Sequence, residues 1–230
     1  NPQSSFSEAF RTIRTGIMLS SLDASSRILE VASTVSGEGK STVAFNLAAA
    51  TAQTGSTLII DADLRRPSIA RSLDIDLKHP GITDMLLDEL SLEECSILYK
   101  ETNITIMPAG QRVANPLEVM TSKRFADLLL SLAKQFDTVV IDTPPINSVS
   151  DSLVLAHLAD HVVYVVNAGS TPTKDIRSGL SRIRGANARS VGIVLNQVDT
   201  SRQSYYGESE YYGGYYNTNV YGDNVAAKTG

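Results

Sequence analysis

The chain has 230 residues, a formal net charge of −5 and 42% hydrophobic side chains. That is apolar material for one large α/β domain with an appendage, and the acidic balance gives no reason to expect non-specific nucleic-acid binding. The single cysteine, Cys95, excludes an internal disulfide, reads as a half-buried apolar filler and suits a reducing compartment, and no apolar run approaches the ~18 residues of a membrane span. The chain opens on Asn1 without methionine, so a piece of something longer is expected.

Residues 4–19 read as an amphipathic helix, because Phe6, Phe10, Ile13 and Ile17 fall on one helical stripe. Glu8, Arg11 and Arg14 form a charged row on a different face. Periodicity leaves two readings of that row open. It is a solvated face with local ion pairs, or a docking surface on which two arginines meet a neighbour's carboxylates.

Next, the apolar run Ile28–Ala32 leads into Ser33-Thr34-Val35-Ser36-Gly37-Glu38-Gly39-Lys40-Ser41-Thr42, followed by a helical segment, Val43 to Gln53. Strand, glycine-containing turn, then helix is the setting of a phosphate-binding loop. Gly37 and Gly39 let successive N–H groups turn inward, and the helix N-terminus favours anions. Lys40 is a movable point charge for β- and γ-phosphates, and the Ser41 hydroxyl is placed to ligate Mg²⁺. Thr34 stands where the usual motif has its first glycine.

Gly55 stops the helix. Thr57–Ile60 then reads as a buried parallel strand running into Asp61-Ala62-Asp63-Leu64-Arg65-Arg66-Pro67. Alternation puts Asp61 and Asp63 on one side of the chain at the strand's carboxyl end, where open α/β sheets collect ligands. Helical pieces are expected around Ile69–Leu73 and Ile82–Leu87, then an acidic stretch. A strand at Ile104–Met107 follows, and a helix at Leu117–Gln135 with a kink or restart near Thr121-Ser122. The run Phe136–Ile141 ends in Asp142-Thr143-Pro144-Pro145, a carboxylate presented to Mg²⁺ or its water shell. Helix 151–157, strand 162–166, helix 173–184 and strand 190–195 complete a doubly wound, mainly parallel sheet with phosphate-loop NTPase architecture. Asn196 follows the last strand, either reading a base edge or satisfied as a turn residue. His79, His157 and His161 show no metal-ligand spacing.

From Ser201 onward apolar periodicity stops. Seven of the nine tyrosines lie here, Tyr205, Tyr206, Tyr211, Tyr212, Tyr215, Tyr216 and Tyr221, among glycine, serine and asparagine. The composition predicts disorder. The stretch reads as a low-complexity linker or as a string of phosphate acceptors. The expected organisation is therefore an N-terminal oligomerisation helix (1–20), a core (21–200) and a tail (201–230).

Taken together, these motifs resemble the bacterial tyrosine kinases (BY-kinases), in particular the cytoplasmic kinase domain of capsule and exopolysaccharide chain-length regulators. The parts that carry the likeness are Glu8-x-x-Arg11-x-x-Arg14, the loop ending Gly39-Lys40-Ser41-Thr42, Asp61-x-Asp63-x-Arg65-Arg66-Pro67, Asp142-Thr143-Pro144-Pro145 and the tyrosine cluster. The resemblance implies an ATP- and Mg²⁺-dependent protein-tyrosine autokinase. Its nucleotide would be held by Gly37, Glu38, Gly39, Lys40, Ser41, Thr42 and Asn196, and its metal by Ser41, Asp63 and Asp142. Catalysis would rest on Lys40, Asp61 and Asp63, with Asp61 as base. It also implies rings of subunits, such as octamers, joined through Glu8, Arg11 and Arg14, with each tail reaching a neighbour's site. A membrane activator in cis or trans, an opposing tyrosine phosphatase and a place at the cytoplasmic face of the bacterial inner membrane complete the expectation. The competing readings are a partitioning or positioning switch ATPase without kinase activity, and a nucleotide-binding scaffold whose tyrosines another kinase modifies.

Overall fold

The computed structural model describes residues 4–20, 27–100 and 102–199. A division of the chain falls between Gln197 and Val198, and every element described here lies before it. The predicted tail, with its seven tyrosines, lies outside the described residues.

Six parallel strands form the body of one sheet: β1 (Ile28–Ser33), β2 (Thr57–Asp61), β4 (Ile104–Met107), β5 (Thr138–Asp142), β6 (His161–Asn167) and β7 (Val191–Asn196). The two-residue β3 (Ile97–Leu98) adds an antiparallel edge, giving the order β3-β4-β2-β5-β1-β6-β7. The central strands are apolar on both faces because helices cover both, as parallel crossovers require. Every residue of β1 is buried.

On one face lie α1 (Ser5–Ser20), α2 (Lys40–Thr51) and α3 (Ile69–Ser72), closing a core around Val31, Leu47, Ile59 and Val140. On the other lie α4 (Ile82–Leu87), α5 (Leu92–Cys95), α6 (Pro116–Thr121), α7 (Lys123–Gln135), α8 (Asp151–Leu158) and α9 (Thr173–Gly185). They close over Ile60, Phe125, Leu129 and Ile141, and over Tyr164 and Ile183 toward the β7 edge. The predicted break in the long helix is real: Asn115 and Pro116 start α6, and the Ser122 hydroxyl accepts the Phe125 N–H (3.1 Å) to start α7. Sequence periodicity had no hold on α5 or β3, which are four and two residues long.

The helix at the N-terminus forms as predicted and buries Phe10 against α2, while Phe6 stays half exposed with its ring 5.0 Å from that of Phe10. Two of the three residues of its charged row lean on α2, while Glu8 stays exposed. Arg14 donates to the Ala50 carbonyl (2.8 Å) and Arg11 to the Gln53 side chain (3.4 Å), at the end of α2 where cations suit the helix dipole. Arg11 also pairs with Glu8 at 2.6 Å.

Candidate active site

The chain leaves β1 through the loop Thr34–Gly39 and enters α2 at Lys40. Gly37 (φ 88°) and Gly39 (φ 85°) both take the left-handed backbone that other residues avoid. Thr34 replaces the expected glycine without strain. Its hydroxyl lies 2.6 Å from the Tyr164 hydroxyl in a fully buried polar contact, and a methyl group on Gly179 of α9 would overlap that tyrosine oxygen.

A cavity of about 750 Å³ opens in front of this loop at the carboxyl edge of the sheet. Gly37, Gly39, Lys40, Ser41 and Thr42 line it from the loop side. Asp63, Arg65, Arg66 and Ser68 line it from the segment after β2, and Pro144 and Pro145 from the segment after β5. Three stretches far apart in sequence thus face one space, as the motif spacing implied.

Two predicted carboxylates stand behind that wall. Asp61 and Asp142 end neighbouring strands in direct register, and both are fully buried. Lys40 Nζ reaches past the loop to hydrogen-bond Asp142 Oδ1, while Asp142 Oδ2 is buried with no partner. Burial pushes the Asp142 carboxyl above its ordinary range, and the Lys40 charge opposes that push. Asp61 accepts the Ser68 and Ile69 N–H groups on Oδ2 (2.8 and 2.9 Å) and the Asp63 N–H on Oδ1 (3.2 Å). Burial, reinforced by the Asp142 charge, raises Asp61 to about 7 against these N–H bonds.

Glu38 and Asn196 are absent from the cavity lining. The Glu38 carboxylate turns back into the protein. It accepts the Val35 N–H on Oε2 (2.7 Å), and on Oε1 the Thr171 hydroxyl (2.6 Å) and the Asn167 N–H (3.4 Å). The Asn196 amide donates to the Glu38 carbonyl at 2.9 Å and sits so close to Gly39 that a side chain there would overlap it. Both residues hold the phosphate loop's shape from behind, tying it to the ends of β6 and β7.

Other residues here escaped the sequence reading. Ser68 donates its hydroxyl to Ser41 Oγ (3.1 Å), and its position just before α3 after Pro67 was the available signal. Asp151, fully buried at the start of α8, takes Arg65 in a two-point ion pair (2.8 and 3.2 Å) that pushes the Arg65 guanidinium pKa up further. Glu30, in the middle of β1, is completely buried and neither carboxyl oxygen has a partner. The neighbouring Thr143 hydroxyl spends its proton on the Val31 carbonyl (3.0 Å). Burial carries Glu30 to about 8, offset only in part by Thr143 and the Lys40 charge.

Residues 26–189 match the family described as AAA domain. The chain is 34% identical over 213 residues to the tyrosine-protein kinase YwqD of Bacillus subtilis (strain 168), covering 92% of this chain and 88% of the relative. It belongs to the bacterial tyrosine kinases. The solved kinase domain of VpsO shares 35% identity and superposes with a TM-score of 0.77, covering 85% of this chain and all of that one. The succinoglycan biosynthesis transport protein ExoP of Rhizobium meliloti (strain 1021) is 32% identical over 98% of this chain, which spans only 30% of ExoP. The septum site-determining protein MinD of Pyrococcus horikoshii OT3, at 21% identity and a TM-score of 0.61, shares the fold alone. As a member of the bacterial tyrosine kinases, the chain carries a nucleotide-binding phosphate-loop fold that serves a protein-tyrosine kinase.

The residues fit a magnesium nucleotide. The loop's glycines take conformations that turn its N–H groups inward, the Lys40 ammonium stands at its base 3.4 Å from the Ser41 hydroxyl, and a buried Asp142 oxygen has no partner. Among the described residues no three carboxylate, histidine or cysteine side chains gather as a cation cage. That suits a small hard cation held by one or two protein ligands and by phosphate.

Proposed function

We propose that the chain is an ATP-dependent tyrosine autokinase that phosphorylates the tail tyrosines of neighbouring subunits, Tyr205 to Tyr221, and so regulates exopolysaccharide or capsule synthesis and export. The observation that carries this is the cavity itself, where the phosphate loop, Asp63 and the two arginines Arg65 and Arg66 face one open space. An acceptor needs that open side. A tail of about 30 residues at up to ~3.3 Å each is long enough to reach it from a neighbour.

Lys40 releases Asp142 and holds the β- and γ-phosphates. Ser41, with Asp63 and Asp142 acting directly or through water, would hold Mg²⁺, which neutralises charge on the transferring group. Asp61 takes the phenol proton; its carboxyl at about 7 matches a base working near neutrality. It is walled off in this state, so the Asp63–Ser68 segment must move aside at Oδ1, where the single donor is the more distant one. A positioned base of this kind contributes about 10²–10⁴-fold, and much of the rest comes from orientation and charge neutralisation. Arg66, exposed and without an ion pair among the described residues, meets phosphate or an acidic acceptor segment.

Around this core, Glu8, Arg11 and Arg14 join subunits into a ring such as an octamer, and a membrane activator in cis or trans docks on it. ExoP is named for polysaccharide transport, and among the described residues no helix here is long and apolar enough to cross a membrane. We place the chain at the cytoplasmic face of the inner membrane, opposed by a tyrosine phosphatase. Each phosphotyrosine adds about −1.5 to −2 charge, which loosens the ring by repulsion.

The test is to incubate the chain with ATP and Mg²⁺ beside Lys40→Met and Asp61→Asn and to map phosphotyrosine by mass spectrometry. The expected result is phosphate on the tail in the wild type, none with Lys40→Met, and a loss of about 10²-fold or more with Asp61→Asn. ATP hydrolysis without phosphotyrosine, with or without an activator segment, would favour the switch ATPase. Full activity of Asp61→Asn would remove Asp61 as the base.

A further inference from the structure

One end of the active-site cavity has no part in holding the magnesium nucleotide. Phe45 of α2 and Leu73, just past α3, line it together with Ser41 and Ser68. Ser41 and Phe45 are one helical turn apart on the same face of α2. Helix side chains lean toward the N-terminus, so the Phe45 ring lies over the turn that carries Ser41. Ser68 hydrogen-bonds Ser41 Oγ at 3.1 Å and ties the two walls together. Phe45 and Leu73 both pack on the core between α2 and the sheet, yet each is only part-buried. The Tyr99 ring meets that of Phe45 edge-on, with centroids 5.4 Å apart and planes at 87°, which fixes the Phe45 wall.

Ser41, beside this end, is the residue assigned to the metal, so the apolar wall opens on the γ-phosphate side of the cavity, where an acceptor approaches in line. Two arginines line the same space. Arg65 gives Nε and Nη2 to Asp151, while the exposed Arg66 side chain makes no ion pair among the described residues. An apolar wall, a phosphoryl position and a free cation together match a phenol that has a carboxylate for a neighbour. The tail offers that pattern unevenly. Tyr206 and Tyr211 flank Glu208-Ser209-Glu210, whereas Tyr215 and Tyr216 stand at least five positions from any carboxylate.

We infer that Phe45 and Leu73 form the subsite for the acceptor tyrosine ring, and that Arg66 selects acceptors beside glutamate, so that Tyr206 and Tyr211 are phosphorylated before Tyr215 and Tyr216. The acceptor ring packs on Phe45 and Leu73 with its hydroxyl toward the γ-phosphate. The phenol oxygen bonds the γ-phosphorus as the bond from phosphorus to the leaving ADP oxygen breaks, and the phenol proton goes to Asp61. A serine or threonine hydroxyl stands one bond from Cβ, and has no ring to fill the subsite, so the same wall selects tyrosine. The inference rests on the autokinase reading and names that site's acceptor specificity.

The test uses full chains in trans. The acceptor is Lys40→Met with its tail intact, the enzyme has its seven tail tyrosines changed to phenylalanine, and initial phosphorylation at each tyrosine is followed by mass spectrometry. Phosphate is expected first on Tyr206 and Tyr211, and Glu208→Gln/Glu210→Gln in the acceptor should slow those two by about threefold, the size of an exposed charge pair, while Tyr215 and Tyr216 keep their rates. In the enzyme, Phe45→Ala should raise the apparent KM for acceptor by about tenfold, the scale of a lost aromatic contact, with Leu73→Ser as a second probe should Phe45→Ala fail to fold. Affinity for a non-hydrolysable ATP analogue, measured by calorimetry, should stay unchanged in both. Arg66→Glu should slow Tyr206 and Tyr211, and an acceptor carrying Glu208→Lys/Glu210→Lys should restore them. Equal rates at all the tyrosines, or no recovery in the charge swap, would overturn the inference and leave the autokinase reading standing. Nucleotide affinity falling with Phe45→Ala or Leu73→Ser as far as acceptor phosphorylation does would give the wall to the base and overturn it too. ATP hydrolysis with no phosphotyrosine on the acceptor would remove the autokinase reading, and this inference with it.

Discussion

Glu30 is a carboxylic acid in the centre of the sheet with no hydrogen-bond partner, and its energetics follow from that alone. Its carboxyl moves from an ordinary 4.5 to about 8 on folding. Between those values the folded chain holds a proton that the unfolded chain has released. Stability is therefore highest below about pH 4.5 as far as this group is concerned, and falls as pH rises through about 8. Glu30→Gln keeps the shape and removes the proton. We expect it to raise stability by a few kcal/mol at pH 8–9 and to change it little near pH 4.5, measured by urea melts across that range. Asp61, raised to about 7, works in the same direction, so part of the slope remains in the variant. The Lys40–Asp142 pair gives a second residue-scale prediction. Lys40→Met leaves Asp142 fully buried without its ion-pair partner, at a cost of about 3–5 kcal/mol, and adding Asp142→Asn recovers most of it. Equal melting of Lys40→Met and wild type would show that the pair does not form in the resting state. The motif spacing named Lys40, Ser41, Asp63 and Asp142. It had no means of naming Glu30 or Asp151, because what makes them unusual is burial among residues more than 80 positions away.

At the scale of elements, the phosphate loop is held from behind by α9 and the ends of β6 and β7. The Thr34–Tyr164 contact exists because Gly179 leaves room for the tyrosine hydroxyl. Gly179→Ala should therefore push Tyr164 off Thr34, destabilise the chain by about 1–3 kcal/mol as an overpacked core does, and weaken nucleotide binding through the displaced loop. Isothermal titration with a non-hydrolysable ATP analogue together with a thermal melt checks both; an unchanged melt would mean that α9 gives way freely. Helices and strands with clear apolar periodicity were legible in the sequence, down to the break at Ser122. The inward turn of Arg11 and Arg14 onto α2 was not, because periodicity assigns a residue to a helix face and says nothing of what that face meets. Glu38 shows the same limit. A loop position invites a phosphate role, and only the fold reveals that its carboxylate bonds to Val35 and Thr171.

For the whole molecule, strand–helix alternation was enough to foresee a mainly parallel sheet, since each crossover must bury a helix against it. Strand order was not legible. It places β1 between β5 and β6, and so brings Lys40, Asp61 and Asp142 together from three separate segments. The central claim, that one copy phosphorylates the tail of another, is tested most directly by mixing two full-length variants. One is Lys40→Met with its tyrosines intact; the other has a working site and all seven tail tyrosines changed to phenylalanine. With ATP and Mg²⁺, phosphotyrosine on the Lys40→Met chain is the predicted result. ATP turnover in the mixture with no phosphate on that chain would contradict it.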